Sequence, residues 1–83
     1  DILERIGKAS AGIKDDLLEI KGIGEKLAEK LYELGIVSFE QMSRMDDYAY
    51  GLIDAMLPAF KGRAKRDEWA KQAKKLIKSK TTV

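Results

Sequence analysis

Apolar residues recur at helical spacing along this chain, in short stretches separated by glycine, proline and small polar residues. The clearest stretch is 25–34, where Leu27, Leu31 and Leu34 follow the i, i+4, i+7 rule and charged residues occupy the other face. Gly35 follows directly, where helices commonly end in a left-handed residue. No stretch has the period of two that a strand requires. The pattern predicts an all-α fold.

Capping residues and helix breakers delimit the other predicted helices. We expect them over residues 1–8, 15–20, 39–44, 46–57 and 64–78. Asp15 is a suitable N-cap for the second of these, and Ser38 with Gln41 forms a capping box before the third. Pro58 should end the fourth, because the residue before a proline is pushed out of the helical region. Residues 1–14 are interpreted as an N-terminal extension and linker, and residues 15–80 as one domain.

The later helices carry the rest of the predicted core. The expected core residues of 46–57 are Leu52, Ile53, Met56 and Leu57. Those of 64–78 are Trp69, Ala73, Leu76 and Ile77. The other face of the last helix carries a lysine stripe, which is either a solvated surface or a patch that follows a nucleic-acid backbone: Lys71, Lys74, Lys75 and Lys78.

Composition excludes several functions. The chain has 83 residues with no cysteine and no histidine, which excludes disulfides, thiolate or imidazole metal sites and nucleophilic catalysis by those groups. No apolar run is long enough to span a bilayer. Residues 1–43 carry six basic and nine acidic side chains, whereas residues 44–83 carry ten basic and five acidic ones. Such asymmetry often marks a surface that faces an anion.

Two glycines flank one aliphatic residue at Gly22-Ile23-Gly24, between two short helices. This spacing predicts a tight hairpin in which Ile23 enters the core and the glycine amides lie at the N-terminus of the next helix, near Lys26. Such amides bind phosphate in many proteins. The alternative is a turn that only lets two helices pack, and Glu25 in the first turn would repel a phosphate.

A second tight connection is predicted at 60–63, Phe60-Lys61-Gly62-Arg63. Lys61, Arg63, Lys65 and Arg66 form a basic cluster here that could contact a second phosphate. The alternative is a solvated helix start whose charge Asp67 and Glu68 partly offset.

With these motifs in view, the chain resembles helix-hairpin-helix proteins, with the motif at residues 17–31, LLEIKGIGEKLAEKL. From residue 15 to about 77 it resembles more narrowly a bacterial accessory domain. That domain is appended to a large-subunit ribosomal protein and to respiratory-chain flavoprotein subunits. The narrower likeness includes FKGR at 60–63 and RDEW at 66–69. It implies a compact five-helix tandem fold in which FKGR is a second, degenerate hairpin.

The resemblance implies a non-catalytic cytoplasmic module that binds nucleic-acid backbone, DNA more than RNA, without sequence preference. The expected contacts are Gly22, Ile23, Gly24 and Lys26 at the first hairpin, and Lys61, Gly62, Arg63 and Arg66 at the second. No cofactor, metal or membrane is expected, and the paired acids Asp15/Asp16 and Asp46/Asp47 are explained by helix capping. The alternative is a protein-interaction or structural module of a larger assembly, which the acidic first half and the fragment-like ends favour.

Overall fold

The computed structural model describes residues 1–81, which form α-helices and short 3₁₀-helices without any strand in that range. The α-helices are α1 (Ile2–Ile6), α2 (Glu25–Glu33), α3 (Phe39–Ser43), α4 (Asp47–Met56), α5 (Arg63–Arg66) and α6 (Trp69–Thr81). The 3₁₀-helices are Leu17–Glu19 and Pro58–Phe60. The all-α prediction is confirmed.

One hydrophobic core joins these helices. Trp69 of α6 and Phe39 of α3 are its largest fully buried side chains, and α3 packs along α6 more extensively than any other described pair of helices does. Ala73 is also fully buried, one turn after Trp69. The predicted core residues Leu76 and Ile77 are half-buried at the edge of the same core.

The predicted helix ends are largely confirmed. Ser38 and Gln41 form the capping box of α3, with the Gln41 amide donating to the Ser38 hydroxyl at 3.1 Å. Asp46 rather than Asp47 caps α4, accepting from the Ala49 amide at 2.9 Å. Gly35 follows α2 with a φ of +89°. Each of these signals is local in sequence, so it specifies a helix end without tertiary information.

The predicted N-cap at Asp15 is wrong. Asp16 caps the first 3₁₀-helix instead, accepting from the Leu18 amide at 3.1 Å. The Asp15 backbone amide donates to the Val37 carbonyl at 2.7 Å, which ties this residue to the segment between α2 and α3. From there the Asp15 carboxylate accepts from the Phe39 amide at 2.8 Å. Asp15 therefore stabilises the N-terminus of α3 rather than the helix that follows it in sequence.

The predicted single last helix is divided into α5 and α6. Glu68 has a φ of +50°, and it is the one residue other than glycine with a positive φ in the described chain. Such a conformation costs about 1–2 kcal/mol for a residue with a β-carbon, so other contacts must maintain it. The break turns the Asp67 side chain toward the first glycine turn.

Met56 was predicted to be a core residue of α4, and this is wrong. It is 39% exposed, whereas Ile53 and Leu57 are buried and Leu52 is half-buried. The buried line of α4 runs through Ala49, Ile53 and Leu57, at i, i+4 and i+8, so that Met56 lies on the outer face.

The N-terminal helix packs on the same core. Ile2 and Ile6 are buried, and α1 lies against α4. The Gln41 side chain donates to the Gly7 carbonyl at 3.1 Å, which joins the end of α1 to α3. The division of the chain into an extension of residues 1–14 and a domain of residues 15–80 stays a prediction. Within the extension, α1 packs on the core.

Candidate nucleic-acid interface

The first glycine turn connects the Leu17–Glu19 3₁₀-helix to α2. Gly22 has a φ of +100°, and the Ile23 amide donates to the Ile20 carbonyl at 3.1 Å. Ile23 is 5% exposed and enters the core as predicted. Gly24 is the exposed, extended N-cap of α2 and supplies no side-chain cap. The backbone amides of the first turn of α2 therefore have no side-chain cap, and Lys26 is exposed within the same turn.

Gln72 of α6 clamps this turn. Its side-chain oxygen accepts from the Lys21 amide at 2.8 Å, and its side-chain nitrogen donates to the Lys21 carbonyl at 3.0 Å. The same nitrogen donates to the Asp67 carbonyl at 2.6 Å. One amide side chain thus joins the first turn to the break between α5 and α6. Sequence reasoning missed this contact, because no local pattern relates residues 51 positions apart.

A carboxylate faces the predicted phosphate site at Gly22. Asp67 lies against the Gly22 α-carbon, and a β-carbon at residue 22 would be 2.0 Å from Asp67 Oδ2. Arg66 pairs with this carboxylate, with Nε 3.3 Å from Oδ1. The structure thus brings Arg66 to the first hairpin, where Asp67 partly neutralises the charge of its guanidinium. Negative charge here disfavours a phosphate on the Gly22 side of the turn and leaves the Gly24 side open.

At the second connection, too, a carboxylate of the protein lies where a phosphate was expected. Gly62 has a φ of +82°, and its amide donates to Asp54 Oδ1 at 2.9 Å. A phosphate would have to displace Asp54 to reach this amide. Lys61 and Arg63 on either side are exposed, and the Arg63 guanidinium lies 5.5 Å from the centre of the Phe60 ring. The side chains of this connection, rather than its amide, are thus available to an anion.

A shallow groove of about 410 Å³ lies between the start of α4 and α5–α6. Its basic side chains are Lys65, Lys71 and Lys74, and its acidic ones are Asp47 and Glu68. Lys65 is 4.0 Å from Asp47, and Lys71 is 3.6 Å from Glu68. The sequence predicted Lys71 and Lys74 in the lysine stripe and Lys65 in the basic cluster of the second connection, and the structure brings the three lysines together.

Tyr50 forms the aromatic wall of this groove. Its hydroxyl oxygen accepts from the Ala70 amide at 3.0 Å. Burial raises the pKa of the Tyr50 phenol above its usual value, since it disfavours the charged phenolate. The ring therefore presents a neutral, rigid surface between the lysines at physiological pH.

A second cleft, of about 290 Å³, lies between the 8–15 segment, α3 and α6. Three of its four charged side chains, Asp15, Glu40 and Arg44, have partners within the chain, and the fourth is Lys8. Asp15 accepts from the Phe39 amide, and Arg44 pairs with Glu40 and donates to the Ile6 carbonyl at 3.2 Å. These contacts make the cleft a weaker candidate for phosphate than the exposed lysines.

One member of each acid pair caps the helix that follows it, Asp16 the first 3₁₀-helix and Asp46 the helix α4. Asp46 caps α4 and also binds Arg5, whose Nη2 is 2.7 Å from Oδ2, and this guanidinium lowers the pKa of Asp46 to about 2. No cluster of three or more potential metal-ligating residues occurs among residues 1–81. None of the helices in that range is both long and apolar enough to cross a bilayer.

Comparison with known proteins identifies the family. The model of the RS2/RL21/YNQ2 HHH domain, a helix-hairpin-helix domain, matches residues 17–77. The chain belongs to this helix-hairpin-helix family. This confirms the broader resemblance drawn from the glycine motif. No solved structure shows significant similarity to the chain.

Ribosomal proteins are among the curated relatives of this helix-hairpin-helix chain. Large ribosomal subunit protein bL21 of Roseobacter denitrificans is 40% identical over 70 residues, 84% of this chain and 32% of that protein. The bL21 of Mesorhizobium japonicum is 41% identical over 71 residues, 86% of this chain and 31% of that protein. Small ribosomal subunit protein uS2 of Methylobacterium sp. (strain 4-46) is 34% identical over 71 residues, 86% of this chain and 20% of that protein.

The helix-hairpin-helix chain thus spans about a third of the bL21 relatives and a fifth of the uS2 relative. The implied link to a large-subunit ribosomal protein is confirmed, whereas the likeness to flavoprotein subunits stays a prediction. Relatives that are ribosomal proteins agree with a non-enzymatic domain. They give no support to a preference for DNA.

Proposed function

We propose that this helix-hairpin-helix domain is a non-catalytic module that binds the phosphate backbone of RNA without sequence preference. The supporting observation is the concentration of positive charge in the last part of the described chain. Residues 61–78 carry eight basic and two acidic side chains. Lys61, Arg63, Lys74 and Lys75 have no ion pair with any described carboxylate. Unpaired surface cations are what a nucleic-acid backbone binds most strongly.

RNA takes the place of DNA in this proposal because the relatives are proteins of the two ribosomal subunits. Double-stranded RNA is bound mainly through its shape, phosphates and 2′-hydroxyl groups. A surface of exposed lysine and arginine suits that form of recognition. The ribosomal relatives also favour the cytoplasm as the proposed location.

The proposed contacts lie at both hairpins. At the first, the open side of Gly24 and Lys26 would bind one phosphate, with Gly22 and Ile23 holding the turn in shape. At the second, Lys61 and Arg63 would bind another phosphate through their side chains. Gly62 shapes that turn, and Arg66 contributes less because Asp67 pairs with it. Lys65, Lys71 and Lys74 of the groove would extend the contact along the backbone.

We also propose that the two connections are related hairpins, the second one degenerate. Each consists of a 3₁₀-helix, a glycine with positive φ and an α-helix: Leu17–Glu19, Gly22 and α2 in the first, and Pro58–Phe60, Gly62 and α5 in the second. The second differs because α5 has only four residues.

Fluorescence anisotropy with labelled duplex RNA and duplex DNA of equal sequence tests the function. The wild-type domain is compared with Lys26→Glu plus Arg63→Glu. The matched control is Lys8→Glu plus Lys14→Glu, which makes the same charge change at exposed positions before the first hairpin. The proposal expects binding at about 50 mM salt and micromolar protein, a regime in which non-specific binders register.

The expected result is a loss of about tenfold or more in the hairpin variant, with a much smaller loss in the control. The logarithm of the binding constant should also fall linearly with the logarithm of salt concentration. Absence of binding to both duplexes would overturn the proposal. Equal losses in the two variants would show that only net charge matters and would remove the hairpins from the site.

A further inference from the structure

The outer face of α4 is an exposed apolar stripe. Its residues follow the i, i+3, i+4, i+7, i+8 spacing of one helix face: Tyr48, Gly51, Leu52, Ala55 and Met56. Tyr48 is 62% exposed and Met56 39% exposed, the former near the start of the helix and the latter at its end. The buried line through Ala49 and Ile53 lies beside the stripe, so α4 is apolar on its inner and outer faces. An exposed face of this kind marks an interaction surface more often than a chance arrangement.

Gly51 lies in the middle of this stripe. Its φ is not positive, and a β-carbon added there would meet nothing within 4 Å. Alanine would therefore fit, and it would stabilise the helix interior. Nothing inside the described chain requires glycine at this place. Because Gly51 has no side chain and Ala55, one turn later, has a small one, the backbone of another helix can approach α4 closely here.

Acidic residues flank the stripe and no basic residue of the same segment does. Residues 45–60 contain three acidic side chains and no basic one. Asp47 and Asp54 stand at i and i+7 and form a row along one edge of the stripe. Arg5 lies over the Tyr48 ring at 4.5 Å, and Asp46 neutralises it. These carboxylates border the RNA-binding surface proposed above, since Asp47 lies 4.0 Å from Lys65 and Asp54 accepts from the Gly62 amide. The stripe itself offers no positive charge to a phosphate, so it lies beside that surface rather than within it.

The geometry points to a protein partner. We infer that the stripe docks an amphipathic helix of another protein whose apolar face is bordered by lysine or arginine at a spacing of about seven residues. The apolar residues of the partner contact Tyr48, Leu52 and Met56, and its basic row faces Asp47 and Asp54. Methionine suits such a surface because its flexible side chain adapts to different contacts. The domain then joins RNA on one surface to a basic protein on another.

Two labelled peptides of about 18 residues, or five helical turns, test the inference. The basic probe carries leucines at i, i+3, i+4, i+7 spacing bordered by lysines. The acidic probe has the same leucines bordered by glutamates. Fluorescence anisotropy measures the binding of each to wild type, Ala55→Arg and Asp47→Lys. Ala11→Arg and Glu29→Lys are the matched controls, since both positions are exposed and lie outside α4.

The basic probe is expected to bind saturably and about tenfold or more tighter than the acidic probe. Ala55→Arg and Asp47→Lys should each weaken it about fivefold or more, with the controls within about twofold. Tyr48→Arg replaces Ala55→Arg if thermal melting shows the latter to be unfolded. Three results overturn the inference. These are no saturable binding up to millimolar protein, equal binding of both probes, or a dimer in sedimentation velocity that Ala55→Arg dissociates, which would assign the stripe to a second copy.

Discussion

The Asp67 carboxylate lies directly against the α-carbon of Gly22, so that the break between α5 and α6 meets the first glycine turn at this pair. A β-carbon at residue 22 would be 2.0 Å from Oδ2 and 2.6 Å from the carboxyl carbon. This contact explains why the turn requires glycine on grounds of space as well as conformation. It also places negative charge where a phosphate was expected from the sequence.

Gly22→Ala should lower the free energy of unfolding by about 2–3 kcal/mol. It places a β-carbon at a φ of +100° and forces Asp67 away from Arg66. Gly24→Ala is the matched control, because Gly24 has an ordinary φ of −93° and open space beside it. Since alanine is a poorer N-cap than glycine, that control should cost at most about 1 kcal/mol, clearly less than Gly22→Ala. Urea unfolding followed by circular dichroism measures both. Equal values would show that the turn does not depend on this contact.

Gln41→Ala should be among the more destabilising substitutions, at about 2–4 kcal/mol. Gln41 is 1% exposed, and its side-chain oxygen accepts from the Val37 amide at 2.8 Å. Its nitrogen donates to the Gly7 and Gly35 carbonyls, so the substitution leaves buried polar groups unpaired and loosens α1. Hydrogen exchange of α1 should accelerate together with the loss in chemical unfolding. Exposed Lys75→Ala serves as the control and should stay within about 0.5 kcal/mol of wild type.

Asp46 should make the stability of the domain sensitive to acid. Arg5 lowers its pKa to about 2 from the usual 3.8, so the folded state favours the carboxylate. This contribution to stability is fully present above the unfolded pKa and is lost as pH falls from about 4 through about 2. Asp46→Asn keeps a residue that can cap α4 but removes the charge. Thermal melts from pH 6 to 2 should therefore show the two proteins converging at low pH. A constant difference between them would contradict the assignment.

Tyr50→Phe should cost about 1–2 kcal/mol, because it removes the hydroxyl that accepts from the Ala70 amide at the start of α6. The pKa of Tyr50 is raised by burial, so the folded state favours the neutral phenol. Its contribution is complete below the unfolded pKa of about 10 and is lost as pH rises through the folded pKa. The variant should therefore lose less stability than wild type above pH 10. Tyr48→Phe, at an exposed ring, is the control. It should change neither the free energy of unfolding nor its dependence on pH above 10.

Much of the local structure follows from short-range patterns. The capping box of Ser38 and Gln41, the cap at Asp46 and the end of α2 before Gly35 each depend on residues within one helical turn. The predictions failed where contacts with residues distant in sequence decided the local structure. Asp15 binds the Phe39 amide 24 positions away, and a break at Glu68 divides the last predicted helix.

By itself, the sequence determined the all-α class, the glycine turn with Ile23 buried in it and the lysines of the last helix, because periodicity, capping and backbone freedom act over a few residues. Only the tertiary structure decided the electrostatics of both turns. Asp67 against Gly22 and Asp54 on the Gly62 amide arise from packing between helices. The same packing decided that Met56 lies outside, since which face of α4 is covered depends on the helices beside it. Charge and burial at a site are set by neighbours in space, and no local pattern encodes them.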